Sequence, residues 1–227
     1  MQSLDKYKYY DEDGITIYNA DCREVLPQLE SGGFCWTDPP YNVGKDYGTW
    51  NDSMPADEYR AFTREWVDCV NRICPEIAIY VPDNHICFYW QTLGENFRQI
   101  VLSYSAEGAF RRGFVNQFSS ILTNAKPKKR TKNVWHNCQM PGLGFFFREQ
   151  TYGHPGYTSQ DVTRRVLSNL AAPDTVIIEP FCGTGTTLRA AKDLGLRAIG
   201  IEISKDYCDI AIERLRQQAF NFDTEAA

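Results

Sequence analysis

No stretch of the 227-residue chain comes near the roughly 18 uncharged apolar residues of a membrane helix, so none is expected. Residues 1–14 are polar and rich in tyrosine, without the apolar core of a secretory signal, and a cytoplasmic location is expected. Metal-ligand spacing is missing too. The eight cysteines include no Cys-x-x-Cys pair, and His85, His136 and His154 are as widely scattered. A structural zinc site needs close ligand pairs on a turn, so neither a metal nor a disulfide is expected. Several cysteines fall inside apolar runs, where they behave as small hydrophobes. Positive charge is also short, at a formal net −5.

Net charge is a poor guide when basic residues are concentrated. Lys126, Lys128, Lys129, Arg130 and Lys132 form one cluster, and Arg111 and Arg112 a smaller one. Such a run either follows a phosphate backbone or is a solvated loop. The remaining composition, 43% hydrophobic and 23% charged, is ordinary for a globular protein. The length suits one domain with a sizeable core.

Periodicity supplies the organisation. Residues 14–19 alternate as a short strand, and residues 22–29 have helical spacing. Phe34 to Thr37 is a strand that must stop at Asp38-Pro39-Pro40, because two prolines offer no ladder donors. Tyr59, Phe62, Trp66, Cys69, Val70 and Ile73 recur at three and four positions, predicting a helix over 57–73 that Pro75 closes. Strands are expected at 77–81, 86–90 and 117–123, and irregular loops over 127–155. Beyond these come a helix (159–170), a strand (175–179), a helix (186–194), a strand (197–201) and a helix (204–218). This alternation predicts a single α/β domain with a mostly parallel central sheet flanked by helices.

Between the strand at 175–179 and its helix lies Glu179-Pro180-Phe181-Cys182-Gly183-Thr184-Gly185-Thr186-Thr187. Gly183 and Gly185 permit a tight turn, and the helix N-terminus behind them offers unpaired N–H groups, as where open α/β sheets bind nucleotide-like cofactors. A phosphate loop needs a lysine beside the final threonines, and none is present. A dinucleotide fingerprint needs a third glycine where Leu188 stands. S-adenosylmethionine, with no pyrophosphate and a cationic sulfur, fits better. Glu202, ending the next strand, sits near the offset at which an acid accepts from ribose hydroxyls, with helix capping as the simpler role. Glu179 carries negative charge suited to the amino-acid end of the cofactor, or a strand-end salt bridge.

Thr37-Asp38-Pro39-Pro40-Tyr41-Asn42 is the most informative segment. An exocyclic amine of a nucleobase is a weak nucleophile, since its lone pair is delocalised into the ring. The Asp38 carboxylate and a proline carbonyl, stiffened beyond a strand end, would hold both N–H bonds and turn that lone pair towards a methyl donor. Tyr41 would stack on the base. Positioning and electrostatics of this kind need no covalent intermediate.

With these motifs in hand, the chain resembles the DNA amino-methyltransferases that act on adenine N6 or cytosine N4, specifically the circularly permuted β class. There the catalytic tetrapeptide precedes the cofactor glycine loop. The resemblance covers nearly the whole chain, through Asn19-Ala20-Asp21-Cys22 with Leu26, residues 37–42, residues 179–187, Gly200-Ile201-Glu202 and the segment from Tyr207 to Arg214. It implies a Rossmann-like fold that binds S-adenosylmethionine and acts on DNA, often as a homodimer. Asp38, Pro39, Pro40 and Tyr41 would be catalytic. Asp21, Cys22, Asp38, Glu179, Phe181, Cys182, Gly183, Gly185, Thr186, Thr187 and Glu202 would bind the cofactor. Arg111, Arg112, Lys126, Lys128, Lys129, Arg130 and Lys132 would contact DNA, within a short recognition segment over 111–150 that also holds Trp135, Phe145, Phe146 and Phe147.

Two departures stand out. The family usually has Asp where Glu179 stands. It often has His-Pro-x-x-Lys-Pro where this chain has His154-Pro155-Gly156-Tyr157-Thr158-Ser159, and Thr158 or Ser159 is the candidate substitute. A leading Asp favours adenine, since the cytosine-N4 enzymes more often begin the tetrapeptide with Ser. Cytosine-C5 chemistry needs a thiolate nucleophile, typically after proline, and the chain has no Pro-Cys dipeptide. The alternatives left open are cytosine N4, RNA or a free nucleotide as acceptor, and a non-catalytic nucleic-acid-binding relative that keeps the pocket.

Overall fold

The computed structural model describes residues 4–103, 110–111, 114–115, 118–129, 131–136 and 158–217. Its strands are β1 (Lys8–Glu12), β2 (Ile15–Asn19), β3 (Phe34–Thr37), β4 (Glu76–Val81), β5 (Arg98–Ser103), β6 (Phe110–Arg111), β7 (Phe114–Val115), β8 (Phe118–Thr123), β9 (Val134–Trp135), β10 (Val176–Glu179) and β11 (Arg197–Glu202). Its helices are α1 (Cys22–Val25), α2 (Ala56–Ile73), α3 (Ile86–Leu93), α4 (Gln160–Leu170), α5 (Thr186–Asp193) and α6 (Lys205–Arg216). Nine strands form one sheet in the order β1-β2-β11-β10-β3-β4-β8-β5-β9, while β6 and β7 pair separately.

The centre of the sheet, β2-β11-β10-β3-β4, is parallel throughout. Antiparallel pairing begins at both flanks, with β1 on β2 and β8 between β4 and β5. The expected α/β architecture is therefore present, with mixed rather than parallel edges. Alternation along the strands explains the three layers. Ile177 faces one apolar cluster and Ile178 the other, as do Trp36 and Cys35. The first cluster takes Val166 and Leu167 of α4, Leu188 of α5 and Ala211 of α6. The second takes Phe62, Trp66 and Val70 of α2, on the stripe that the helical spacing marked.

Helix α3 and strands β1 and β5 differ from expectation. Residues 86–90, expected as strand, are the first turns of helix α3. Short apolar runs fit either state, and here the helix buries Tyr89 completely while Trp90 stays exposed. The strands β1 and β5 were not expected. β1 is mostly polar at its ends, and in β5 the apolar run is only Ile100-Val101-Leu102, too short to assign a state from pattern alone.

Parallel register decides where the site lies. Glu179, Thr37, Glu202 and Asn19 all end neighbouring strands at the same edge of the sheet. That edge is the usual ligand crevice of open α/β sheets.

Candidate active site

Three turns meet at this edge. The first follows β3. Beyond Asp38-Pro39-Pro40-Tyr41, the chain bends through Asn42 at φ 56°, a left-handed conformation that asparagine tolerates better than most residues. Asn42 then exchanges hydrogen bonds with Met54, donating to its carbonyl at 2.8 Å and accepting from its N–H at 2.6 Å. The buried Asp52 carboxylate accepts from the backbone N–H groups of Asn42, Val43 and Lys45. The tetrapeptide is thus held by its own loop as well as by its prolines.

Asp38 is half-buried, and side-chain hydroxyls reach both of its oxygens. Tyr41 donates to Oδ1 at 2.8 Å and also meets the Tyr80 carbonyl. Thr158 donates to Oδ2 at 2.6 Å. Burial pushes the Asp38 carboxyl above the ordinary carboxylate range, while Thr158, Tyr41 and the charge of Lys45 pull it back. The Tyr59 hydroxyl occupies the Pro40 carbonyl at 3.2 Å. Among the described residues no donor reaches the Pro39 carbonyl, which leaves it as an acceptor beside Asp38.

The Tyr41 ring packs against His85 at 5.4 Å and Tyr89 at 6.0 Å and is 7% exposed. Its bond to Asp38 is a role that residue type alone did not announce.

The second turn follows β10. Gly183 and Gly185 both have positive φ, at 49° and 79°. At Gly185 a Cβ would also lie 2.8 Å from that of Ala211 in α6, so α6 can close on the loop only over glycine. Arg214 of α6 donates to the Thr184 carbonyl at 2.6 Å and to the hydroxyls of Thr184 and Thr186. It pins the turn from outside. The Phe181 ring lies edge-on to Trp66 at 5.3 Å.

Glu179 is buried and forms no salt bridge among the described residues, contrary to that expected alternative. Thr37, Thr187 and the Phe181 N–H donate to its carboxylate instead. Burial pushes its carboxyl up to about 8 against those bonds.

The third turn follows β11. The Glu202 carboxylate accepts from the Gly183 N–H at 2.9 Å and from the Ser204 N–H at 2.8 Å. It therefore ties the glycine turn to the chain entering α6, while the cap of that helix is Ser204, which accepts from the Tyr207 N–H. Each carboxylate oxygen keeps further acceptor capacity for a hydroxyl.

A narrow cleft of about 390 Å³, counting its open mouth, joins the first two turns. It is lined by Trp36, Asp38, Thr158, Glu179, Phe181, Cys182, Gly183, Thr184, Thr186 and Thr187. Trp36 and Thr184 are additions to the residues expected there, and Thr158 is one of the two candidate substitutes for the missing Lys-Pro. The lining holds two carboxylates and no lysine or arginine. Such a donor set suits a cationic cofactor and not a pyrophosphate.

The remaining expected residues divide. Asp21 reaches the same sheet edge, but its carboxylate caps α1 and is forked by the Arg23 guanidinium. Burial raises its carboxyl, and the Arg23 bonds outweigh that, leaving it below the ordinary value. Cys22 is buried in the core behind it.

Of the lysines expected to contact DNA, Lys126, Lys128 and Lys129 follow β8 and Lys132 precedes β9. Thr123 at the end of β8 pairs with Ala78, near the start of β4. Trp36 pairs with that same Ala78, so β8 ends level with a residue two before Asp38, and the chain then runs on away from Asp38 through Asn124 and Ala125. These lysines are exposed, and the Lys128 N–H donates to the Asn169 carbonyl at the far end of α4. Trp135 is core, 1% exposed, with Arg165 over its ring. Arg111 belongs to the β6–β7 ribbon, of which only the backbone is described. Arg112, Arg130, Phe145, Phe146, Phe147, His154 and Pro155 lie outside the described residues.

Among the described residues no helix is long and apolar enough to cross a membrane, and no group of three or more His, Cys, Asp or Glu is placed to hold a metal ion.

The chain is similar in sequence and fold to known proteins. The family model described as DNA methylase, for N6 and N4 methyltransferases, matches residues 116–213. The Type II methyltransferase M.HinfI of Haemophilus influenzae is 33% identical over 248 residues, covering 89% of this chain and 68% of that protein. The Type II methyltransferase M.HpaI of Haemophilus parainfluenzae is 28% identical over 221 residues, covering 83% of this chain and 69% of its own length. Among solved structures, the M1.HpyAVI–SAM complex aligns with a TM-score of 0.69 at 24% identity, covering 89% of this chain and all of that one.

Proposed function

The chain belongs to the DNA methylase family of N6 and N4 methyltransferases, and from that premise we propose that it transfers a methyl group from S-adenosylmethionine to the exocyclic N6 of adenine in DNA. The observation that carries this reading is a shared cleft: Asp38 and the Gly183 turn, from strands distant in sequence, line the same opening.

Bound there, S-adenosylmethionine supplies an electrophilic methyl group on a cationic sulfur. Glu202 would accept from the ribose, Phe181 would border the adenine, and the cationic sulfur would favour ionisation of Glu179, whose carboxyl burial otherwise pushes up to about 8. The Asp38 carboxylate and the Pro39 carbonyl accept the two N–H bonds of the target amine. Holding both directs the nitrogen lone pair out of the ring plane, towards the methyl donor. Of these two acceptors only the carboxylate can take up the proton that the methylated amine sheds, and its buried setting favours that uptake. A base inside a duplex cannot reach a pocket at a strand tip, so the base is extruded, with Tyr41 as its stacking partner.

Adenine is favoured because the tetrapeptide begins with Asp38. Recognition falls to the short segment over 111–150, supplemented by a second copy of the chain, and the protein acts in the cytoplasm. Analytical ultracentrifugation tests the pairing: a strictly monomeric species on cognate DNA removes it. Sequencing the DNA of an expressing host for modified positions tests the rest. N6-methyladenine within one short motif supports the reading, N4-methylcytosine moves it to the alternative acceptor, and unmodified DNA defeats it.

A further inference from the structure

We propose that Thr158 is the positioning residue that holds the Asp38 carboxylate in its working orientation. The two residues stand 120 positions apart, and the Thr158 hydroxyl donates to Oδ2 at 2.6 Å. Thr158 is 8% exposed, so water does not readily replace that donor. Its neighbour Ser159 is committed elsewhere, accepting from the Val162 N–H as the N-cap of α4. The two hydroxyls thus divide their work: one starts the helix, and the other reaches forward into the cleft.

The platform behind Thr158 is rigid. One turn further along α4, Thr163 is completely buried and its hydroxyl accepts from the Trp36 indole at 3.4 Å. Trp36 lies on β3, two residues before Asp38. The helix is therefore fastened to the catalytic strand at two levels, and rotation of Asp38 about its side-chain bonds is opposed from both sides, by Thr158 on Oδ2 and Tyr41 on Oδ1. A carboxylate oxygen has room for more than one donor, so the target amine can bind while both hydroxyls stay in place.

The charged and titratable groups facing Asp38 come from several elements. Lys45 and Tyr47 belong to the loop after the tetrapeptide, Tyr89 to α3 and Glu179 to β10. Of these only Lys45 carries a charge that favours the ionised carboxyl. Loss of the Thr158 donor therefore leaves Tyr41 and Lys45 to oppose burial, and the carboxyl must titrate at higher pH.

The inference rests on Asp38 as the amine acceptor, so its test begins with a readout that needs no substrate. In the full-length protein, carbon-detected NMR of the Asp38 carboxyl is compared between wild type, Thr158→Val and Thr158→Ser. The valine variant should titrate about one pH unit higher, the tenfold effect of roughly one charge-assisted hydrogen bond, and serine should restore the wild-type midpoint. An unchanged midpoint in the valine variant overturns the proposal, whatever the enzyme methylates. Kinetics form the second arm. With Thr158→Val, kcat on DNA should fall about tenfold or more, with its acid limb moved to higher pH and the cofactor Kd within about twofold. A cofactor Kd weakened as much as kcat falls would assign Thr158 to the cofactor and overturn the proposal. Absence of transfer by wild-type protein would instead defeat the functional reading and leave the titration to decide this one.

Discussion

The Thr37 hydroxyl donates to the Glu179 carboxylate at 2.5 Å, joining residues 142 positions apart. Thr37 immediately precedes the Asp38 tetrapeptide, and Glu179 opens the glycine turn. Parallel pairing of β3 with β10 brings the two strand ends side by side, and this hydrogen bond fastens them there. Methyl donor and target amine can then be presented at adjoining strand tips.

Glu179 should make stability depend on pH. Its carboxyl sits at about 8 in the folded chain against an ordinary 4.5, so the folded state binds more protons between those values. Its contribution is full below 4.5 and falls with rising pH through 8, by at most about 1.4 kcal/mol per pH unit. Glu179→Gln, fixed as neutral, should flatten this loss. Denaturant titrations at pH 5 to 8 without cofactor check it, and parallel curves for the two proteins would count against the assignment.

Glu202→Ala should weaken the cofactor and the fold together. It removes the acceptor for the Gly183 and Ser204 N–H groups, and an unsatisfied buried donor costs about 1–3 kcal/mol. Cofactor Kd should rise at least about tenfold, measured by calorimetry, and Tm should drop by several degrees. An unchanged Kd would take Glu202 out of the site.

Arg214 acts on the glycine turn from behind, through the Thr184 carbonyl and two threonine hydroxyls. Arg214→Met should therefore raise the KM for S-adenosylmethionine while kcat at saturation stays within about threefold, the pattern of lost uniform binding. A fall in kcat with unchanged KM would place its effect on chemistry instead.

The lysine loop gives the opposite expectation. Because the antiparallel β8 carries the chain to Lys126, Lys128 and Lys129 away from Asp38, their joint replacement by alanine should leave KM for a short duplex within about twofold at moderate salt. A tenfold increase, measured on a duplex of about one helical turn, would show that DNA reaches around the molecule.

Residue pattern made the chemistry legible and left its supports hidden. The parallel centre could be read because β3, β10 and β11 are short apolar strands closed by Pro39, Pro180 and Ser204. Helix α3 was read as a strand since Ile86-Cys87-Phe88-Tyr89-Trp90 is equally suited to either, and only its packing on Tyr59 and Tyr41 decides. Thr158 was legible only as one of two candidate substitutes for the missing Lys-Pro. Its meeting with Asp38 depends on where α4 starts in space, which no local spacing encodes. The same holds for Tyr59 on the Pro40 carbonyl and for Arg214 on Thr184. The place of Lys126, Lys128 and Lys129 was hidden in the same way, because the antiparallel β8 carries the chain away from Asp38.

Incubating the protein with DNA and labelled S-adenosylmethionine, digesting to nucleosides and identifying the product by mass spectrometry is the most direct measurement. N6-methyldeoxyadenosine from wild type, and none from an Asp38→Ala variant that still binds cofactor with near-native Kd, is the outcome expected. Label in deoxycytidine, no label in any nucleoside, or wild-type rates from Asp38→Ala would contradict the account.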